Sequence, residues 1–177
     1  MDLAEVIRNN RDKIVAQWVD YTLSTYPSSD FFKKEKDKFS NPTGVSIRDG
    51  LEQLFDMLAA GNDPEDFRGP VEQIVRIRAV QNFSPAEAVA PLNAVKHITR
   101  NMLEREKECS SLFKDLYDFE FAVDLAVLAA FDIYMEYREK LYSIRVREIK
   151  SGSSILTDSK CPSKLSLENT QDFIKKV

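Results

Sequence analysis

The chain has 177 residues, of which 43% are hydrophobic and 31% charged, and a formal net charge of −4. A chain of this length buries about two-thirds of its unfolded surface in one domain, so it needs no disulfide or metal to hold it together. The acidic balance excludes a general nucleic-acid or anionic-membrane binder, and no apolar run approaches the about 18 residues of a membrane span.

Two cysteines, Cys109 and Cys161, stand far apart without metal-ligand or redox-motif spacing, which fits free thiols in a reducing cytoplasm. Charges in Met1-Asp2-Leu3-Ala4-Glu5 occupy the place where a secretory leader would be apolar, so the expected location is cytoplasmic. The most basic stretch, Lys33-Lys34-Glu35-Lys36-Asp37-Lys38, is interrupted by acids and reads as a solvated face.

The predicted elements are helical. Leu3, Val6, Ile7, Ile14, Val15, Trp18, Val19 and Thr22 recur at steps of three, four and seven and predict one amphipathic helix over about 3–25, with Trp18 as its core anchor. Residues 26–43 form a long connection in which Phe31, Phe32 and Phe39 pin a lysine-rich turn or short helix to the core. Val45, Ile47, Leu51, Leu54, Phe55 and Leu58 define the next long helix, which Gly61-Asn62-Asp63-Pro64 ends with a left-handed cap and a breaker. A short element opens at Asp63-Pro64-Glu65-Asp66 and is interrupted by Gly69-Pro70.

Residues 71–80 fit a strand by alternation and a helix by the spacing of Val71, Ile74, Val75 and Arg78; with no partner strand in sight, helix is the assignment. Arg76 and Arg78 then point roughly 160° apart and read as separate ion-pair partners. In Phe83-Ser84-Pro85-Ala86-Glu87, Ser84 suits the N-cap, Pro85 the first helical position and Glu87 the capping box, with Phe83 placed to staple onto Ala88. The helix it opens runs to about Lys107. Pro91 lies inside it, removes the backbone bond to the Glu87 carbonyl and kinks it. A pocket at such a kink would draw on Pro91, Trp18 and Phe121. His97 is the only histidine and the candidate haem ligand, but it shares a face with Asn93, Arg100, Asn101 and Glu104 and points to water.

From Asp115 to about Lys150 runs the longest helix, apolar nearly all round from Phe119 to Met135. Asp124 and Asp132 share a face about 12 Å apart, too far for a paired-carboxylate site. Beyond them Tyr134, Tyr137, Leu141, Ile144 and Ile149 form an apolar stripe suited to pairing with a copy of itself. Ser151-Gly152-Ser153-Ser154 reads as a linker, and Leu165, Leu167, Phe173, Ile174 and Val177 suit a weak amphipathic helix in a tail over 151–177.

Several stretches together resemble the N-terminal domain of the RsbRD-type RsbT co-antagonists, regulators of the bacterial stressosome. They are Lys33-Lys34-Glu35-Lys36-Asp37, Asn41-Pro42-Thr43-Gly44, Gly50-Leu51-Glu52-Gln53-Leu54-Phe55, the run from Ile74 to Gln81, and Phe83-Ser84-Pro85. Phe131-Asp132-Ile133-Tyr134-Met135, with Arg138-Glu139-Lys140, is similar to the ending of stand-alone members. The resemblance spans about residues 1–150 and implies an all-helical sensory domain, like a globin without haem, that dimerises. It also implies a following phosphorylatable STAS domain, which the short tail here does not resemble. Asn82 stands where the family often has aspartate, and Pro91-Leu92-Asn93 replaces a more apolar run. Stand-alone members resemble proteins of anaerobic sulfur-respiring bacteria, which adds an accessory role there as an alternative.

The expectation is an all-α, single-domain bundle of about five to six helices, of globin-like type, with a long C-terminal helix: a domain over 1–150 and a tail over 151–177. Its function is expected to be regulatory, sensory or adaptor, through contacts with itself as a homodimer and with a regulatory protein, and without catalysis or cofactor. The alternative reading is a sensor of a small apolar ligand or haem. An enzyme is disfavoured, because one histidine, two distant cysteines and no phosphate loop supply no catalytic set.

Overall fold

A computed structural model describes residues 3–105, 112 and 114–151. Among them are seven α-helices, one 3-10 turn and no strand. The helices are α1 (Leu3–Asn9), α2 (Arg11–Ser24), α3 (Ser29–Lys34), α4 (Pro42–Ala60), α5 (Arg68–Val80), α6 (Pro85–Arg105) and α7 (Leu116–Ser151), with the 3-10 turn over Pro64–Phe67. The chain divides between Leu141 and Tyr142. The packing below is that of the part up to Leu141; residues 142–151 are helical. Cys109, Cys161 and the expected tail beyond Ser151 lie outside the described residues.

The all-helical class and the long last helix are as expected, but the helix count is higher for two physical reasons. The expected first helix is broken at Asn10, whose backbone leaves helical angles at φ −102° and ψ 8° while its side chain joins its N–H in donating to the Val6 carbonyl. The connection over 26–43 contains α3, too short to be prominent in a pattern search. Gly69 and Pro70, expected to interrupt, instead sit in the first turn of α5, where a proline's missing N–H is no loss. Residues 71–80 are helix, as assigned. Of the three phenylalanines expected to pin the connection, only Phe32 packs on the core; Phe31 is half exposed and Phe39 is 95% exposed.

α4 begins and ends on local chemistry. Asn41 caps it, accepting from the Gly44 N–H at 2.8 Å, while its Nδ2 donates to the Phe32 and Glu35 carbonyls at 3.1 and 2.8 Å. One buried side chain therefore fastens both the helix start and the loop after α3. Gly61 closes α4 at φ 70°, the left-handed cap read from the sequence. α4 lies along α5, and α2 packs against both α4 and α6. Trp18, Ile14 and Leu23 on α2, Ile47, Leu51, Leu54 and Phe55 on α4, and Val71, Ile74 and Val75 on α5 fill the space between them. α7 closes the core with Leu116, Phe119, Val123, Ala126, Ala130, Ile133 and Tyr134, and Phe119 meets Phe55 edge-on.

The α4–α5 approach depends on Gly50, where an added Cβ would lie 2.8 Å from Ile74 Cγ1 and 3.2 Å from the Pro70 carbonyl oxygen. Gly50→Ala gains about 1 kcal/mol of helix propensity and loses about 1–3 kcal/mol to overpacking. We expect net destabilisation, read as a lower urea midpoint at unchanged slope; a raised midpoint would show that the two helices can separate freely.

The capping box at α6 is formed in both directions: the Ser84 N–H donates to Glu87 Oε2 at 2.9 Å, and the Glu87 N–H to Ser84 Oγ at 3.3 Å. The Ser84 backbone and hydroxyl hold the exposed Glu87 carboxyl below its ordinary range. A depressed carboxyl stabilises the fold above its unfolded pKa and loses that contribution as pH falls through the folded value. Ser84→Ala should cost about 1 kcal/mol at neutral pH, and stability curves of Glu87→Gln and the parent chain should converge in acid. Parallel curves would remove the carboxylate's role.

Candidate functional site

The site grows out of a helix that contains a proline. Pro91 is buried in α6 and has no N–H, so the Glu87 carbonyl one turn earlier loses its helical donor. α5 supplies the replacement. Val71, Ile74, Val75, Arg78 and Ala79 form its inward stripe, so Arg78 falls at a core position and is fully buried. Its Nη2 donates to the Glu87 carbonyl at 2.9 Å and its Nε to the Ala88 carbonyl at 3.0 Å. On the other side of the break, Trp18 Nε1–H donates to the Pro91 carbonyl at 2.8 Å. Arg78 thus replaces the donor that the proline removes, and Trp18 adds a bond to the proline's own carbonyl.

Arg78 is not the ion-pair partner that its sequence position suggested. Among the described residues no carboxylate forms a salt bridge with it, and the Glu87 carboxylate is held by Ser84. Its remaining partners are Thr25 Oγ1 at 3.0 Å from Nη2 and two aromatic rings, with Cζ 4.2 Å from the Phe83 centroid and 4.9 Å from that of Tyr26. These rings meet edge-on at 5.3 Å. Burial pushes the guanidinium pKa down, yet a guanidinium stays protonated in proteins. The charge therefore rests on carbonyl dipoles and ring faces.

Three polar atoms here are buried without a hydrogen-bond partner: Arg78 Nη1, Tyr26 OH and Gln81 Oε1. The Tyr26 hydroxyl, pushed up by burial and drawn down by Arg78, feels the guanidinium directly. Beside this cluster lies a cavity of about 390 Å³, walled by Tyr26, Pro27, Phe32, Gln81 and Phe83, with Thr25, Ser28, Asn82 and Glu87 at its edges. Phe83 also ties the cavity to α7, because the Tyr134 hydroxyl donates to the Phe83 carbonyl at 2.7 Å.

α7 carries a second feature. Its inward residues recur at alternating steps of three and four, and on its opposite side so do Tyr117, Phe121, Leu128, Phe131 and Met135, all 45–70% exposed. Asp124 interrupts this outer seam and is bound at 2.7 Å by Lys96 of α6; Arg100 of α6 pairs with Glu120 next to it. Tyr137 donates to Glu72 at 2.7 Å and Arg68 pairs with Glu136 at 2.9 Å, fixing the helix to α5.

The residues singled out from the sequence fall in several places. Trp18 and Pro91 meet in the core, while Phe121 is 52% exposed on α7. Tyr134, expected on an exposed stripe, is 3% exposed and faces inward. Tyr137 and Leu141 are half-buried, and Ile144 is exposed. His97 is exposed, with Nε2 2.9 Å from Asn101 Nδ2. Among the described residues no group of three or more histidines, cysteines or acids has metal-holding geometry, and no helix is long and apolar enough to cross a membrane. Reading the sequence passed over Tyr26 and Gln81. It had the signals for Arg78: an arginine on an apolar stripe, and a proline four residues after a carbonyl in need of a donor.

The family model for the RsbT co-antagonist protein rsbRD N-terminal domain matches residues 12–149. An uncharacterized protein of Archaeoglobus fulgidus is 26% identical over 140 residues, a match covering 78% of this chain and 84% of that protein. No solved structure matches the chain.

Losing the Arg78 fork removes the one donor of the Glu87 carbonyl and leaves a second bond, to Ala88, unmade. Arg78→Lys should cost about 3 kcal/mol. Pro91→Ala restores an N–H for the Glu87 carbonyl, so in the double variant the Arg78→Lys cost should fall by about 1 kcal/mol. Thermal or urea unfolding of the four proteins checks this cycle; strict additivity would show that the arginine is not compensating for the proline.

Proposed function

The chain belongs to the family of the RsbT co-antagonist protein rsbRD N-terminal domain, and from that membership we propose a cytoplasmic regulatory and sensory domain of the stressosome type that works through protein–protein contacts and not by catalysis. The observation that carries the contact half of this reading is the outer seam of α7. Tyr117, Phe121, Leu128, Phe131 and Met135 keep the three–four spacing of a helix-pairing face over about 27 Å of helix. An exposed apolar stripe of that regularity marks an interaction surface. Its occupant in this reading is the same face of a second copy. The one charge in the stripe, Asp124, is already matched by Lys96 within its own chain, so two such faces meet without an unpaired acid between them.

The non-catalytic half is supported by the lone histidine. His97 is exposed, and its Nε2 is engaged with Asn101, with no nucleophile in reach among its hydrogen bonds. An adaptor of this kind reports by changing how its long helix is presented. The contacts of Tyr134 with Phe83 and of Tyr137 with Glu72 connect that helix to the α5–α6 corner.

The chain should sediment as a dimer at micromolar concentration, and Leu128→Glu or Phe131→Glu should give a folded monomer with unchanged helical circular dichroism. A parent chain that sediments as a monomer, or a dimer that both substitutions leave intact, sinks the pairing of α7 faces. Tyr134→Glu is a contrasting control: its side chain is in the core, so it should lower the melting temperature instead of dissociating a folded dimer.

A further inference from the structure

We propose that the turn bearing Phe39 in one copy of the chain docks in the groove at the other end of α4 in a second copy, so that each molecule carries a knob and a socket and the copies add head to tail. This contact is separate from the pairing of α7 faces and does not rest on it.

The knob lies between α3 and α4. Phe39 is 95% exposed. Its turn is nevertheless ordered, because nearby acids are spent on the backbone. The Asp37 carboxylate accepts from the Phe39 and Ser40 N–H groups at 3.1 and 2.8 Å and from the Ser40 hydroxyl at 3.0 Å. Glu35 accepts from the Asp37 N–H at 2.8 Å. The ring is therefore held out in advance, and docking it has little chain left to order. Lys36 and Lys38, just before Phe39, are exposed and form no salt bridge among the described residues. The turn presents an aromatic ring with two ammonium groups beside it.

The socket has the opposite chemistry. α1, the end of α4 and the start of α7 line a groove of about 300 Å³, with Leu3, Ile7, Leu58 and Phe119 among its apolar walls and Asp115 and Asp118 in its lining. A cavity of about 150 Å³ holds a benzene ring, so this one has room for a phenylalanine. Both aspartates are exposed and form no salt bridge among the described residues. α4 reaches the groove with no basic residue in its last turn, so the negative end of its dipole adds to the two acids. An apolar groove with two acids complements an apolar ring with two cations.

The position of α4 makes the occupant another copy. Phe39 precedes the first residue of α4, Leu58 to Gly61 stand at its end, and its 19 residues hold the two apart by about 28 Å. The knob cannot enter its own socket. Contact between unlike surfaces of identical chains is heterologous, and it repeats until it closes a ring or extends a filament. One ring and two ion pairs make a small interface, so a single contact is weak. Copies already paired through α7 would carry two knobs and two sockets, and linking them multiplies the weak contact.

The test uses the full-length chain carrying Leu128→Glu, which takes α7 pairing out of the measurement. In sedimentation equilibrium from micromolar to millimolar concentration, its average mass should rise with concentration and fall back on adding salt. Phe39→Ser should weaken this association about tenfold or more, as should Asp115→Lys with Asp118→Lys; all three positions are exposed, and helical circular dichroism should not change. Mixing the two variants should give a one-to-one complex and nothing larger, because one keeps its socket and the other its knob. Adding Lys36→Glu and Lys38→Glu to the variant with both aspartates reversed should restore self-association. A mass that stays constant with concentration overturns the proposal, as does association that Phe39→Ser leaves intact or a mixture that forms no complex. If Leu128→Glu itself remains a dimer, the same rise is required above the dimer mass, so the two contacts fail independently.

Discussion

The Arg78 guanidinium reaching across to a proline-broken turn is the constraint on which the rest of this structure depends. Pro91 leaves the Glu87 carbonyl in the first turn of α6 without its helical donor, and the side chain that replaces it is fully buried. An unmade hydrogen bond in a core costs about 1–3 kcal/mol, so the fold must deliver a donor there from outside the helix. Arg78 does so from α5, while Trp18 of α2 donates to the carbonyl of Pro91 itself. The relative placement of these three helices is therefore specified by polar contacts of fixed length as well as by apolar packing, which tolerates slippage more readily. The cost of that specification is a buried cation without a counter-ion, and the unmatched atoms around it gather where α5 ends and α6 begins.

Much of the architecture was legible in the sequence because it is local. The left-handed cap at Gly61, the capping box from Ser84 to Glu87 and the helix over residues 71–80 follow from residue types at fixed spacing. The break at Asn10 was hidden because apolar residues before and after it stay on one periodic stripe, and periodicity is blind to one residue's departure from helical backbone angles. The site was less legible because its chemistry is tertiary. Arg78, Gln81 and Phe83 lie together at the end of α5 and in the turn after it, but Tyr26 comes from beyond α2, and nothing in the spacing announces that two rings will enclose one guanidinium.

α7 shows a different limit. It is apolar on nearly every side, so a search for one stripe has no unique answer. The reading from sequence settled on Tyr134, Tyr137, Leu141 and Ile144, whereas packing turns Tyr134 inward and leaves Tyr117, Phe121, Leu128, Phe131 and Met135 outside. Two seams of the same three–four spacing run back to back along the helix. Only the position of α4, α5 and α6 decides which seam is core, and the ion pairs of Lys96 and Arg100 on α6 hold that choice in place.

Asn41 gives the cavity a property of its own. Phe32 and the short helix bearing it contribute no fully buried side chain, and the loop that follows is fastened to the body of the fold by the two bonds of one carboxamide. Few apolar contacts, the Asn41 clasp and the partly exposed Lys33–Asp20 pair describe a unit that unfolds locally before the domain does. Amides of residues 29–40 then exchange with solvent through this small opening while those of α5 wait for global unfolding. The outer wall of the cavity is thus the part of the domain that local opening removes first, and Asn41 is the residue that holds it shut.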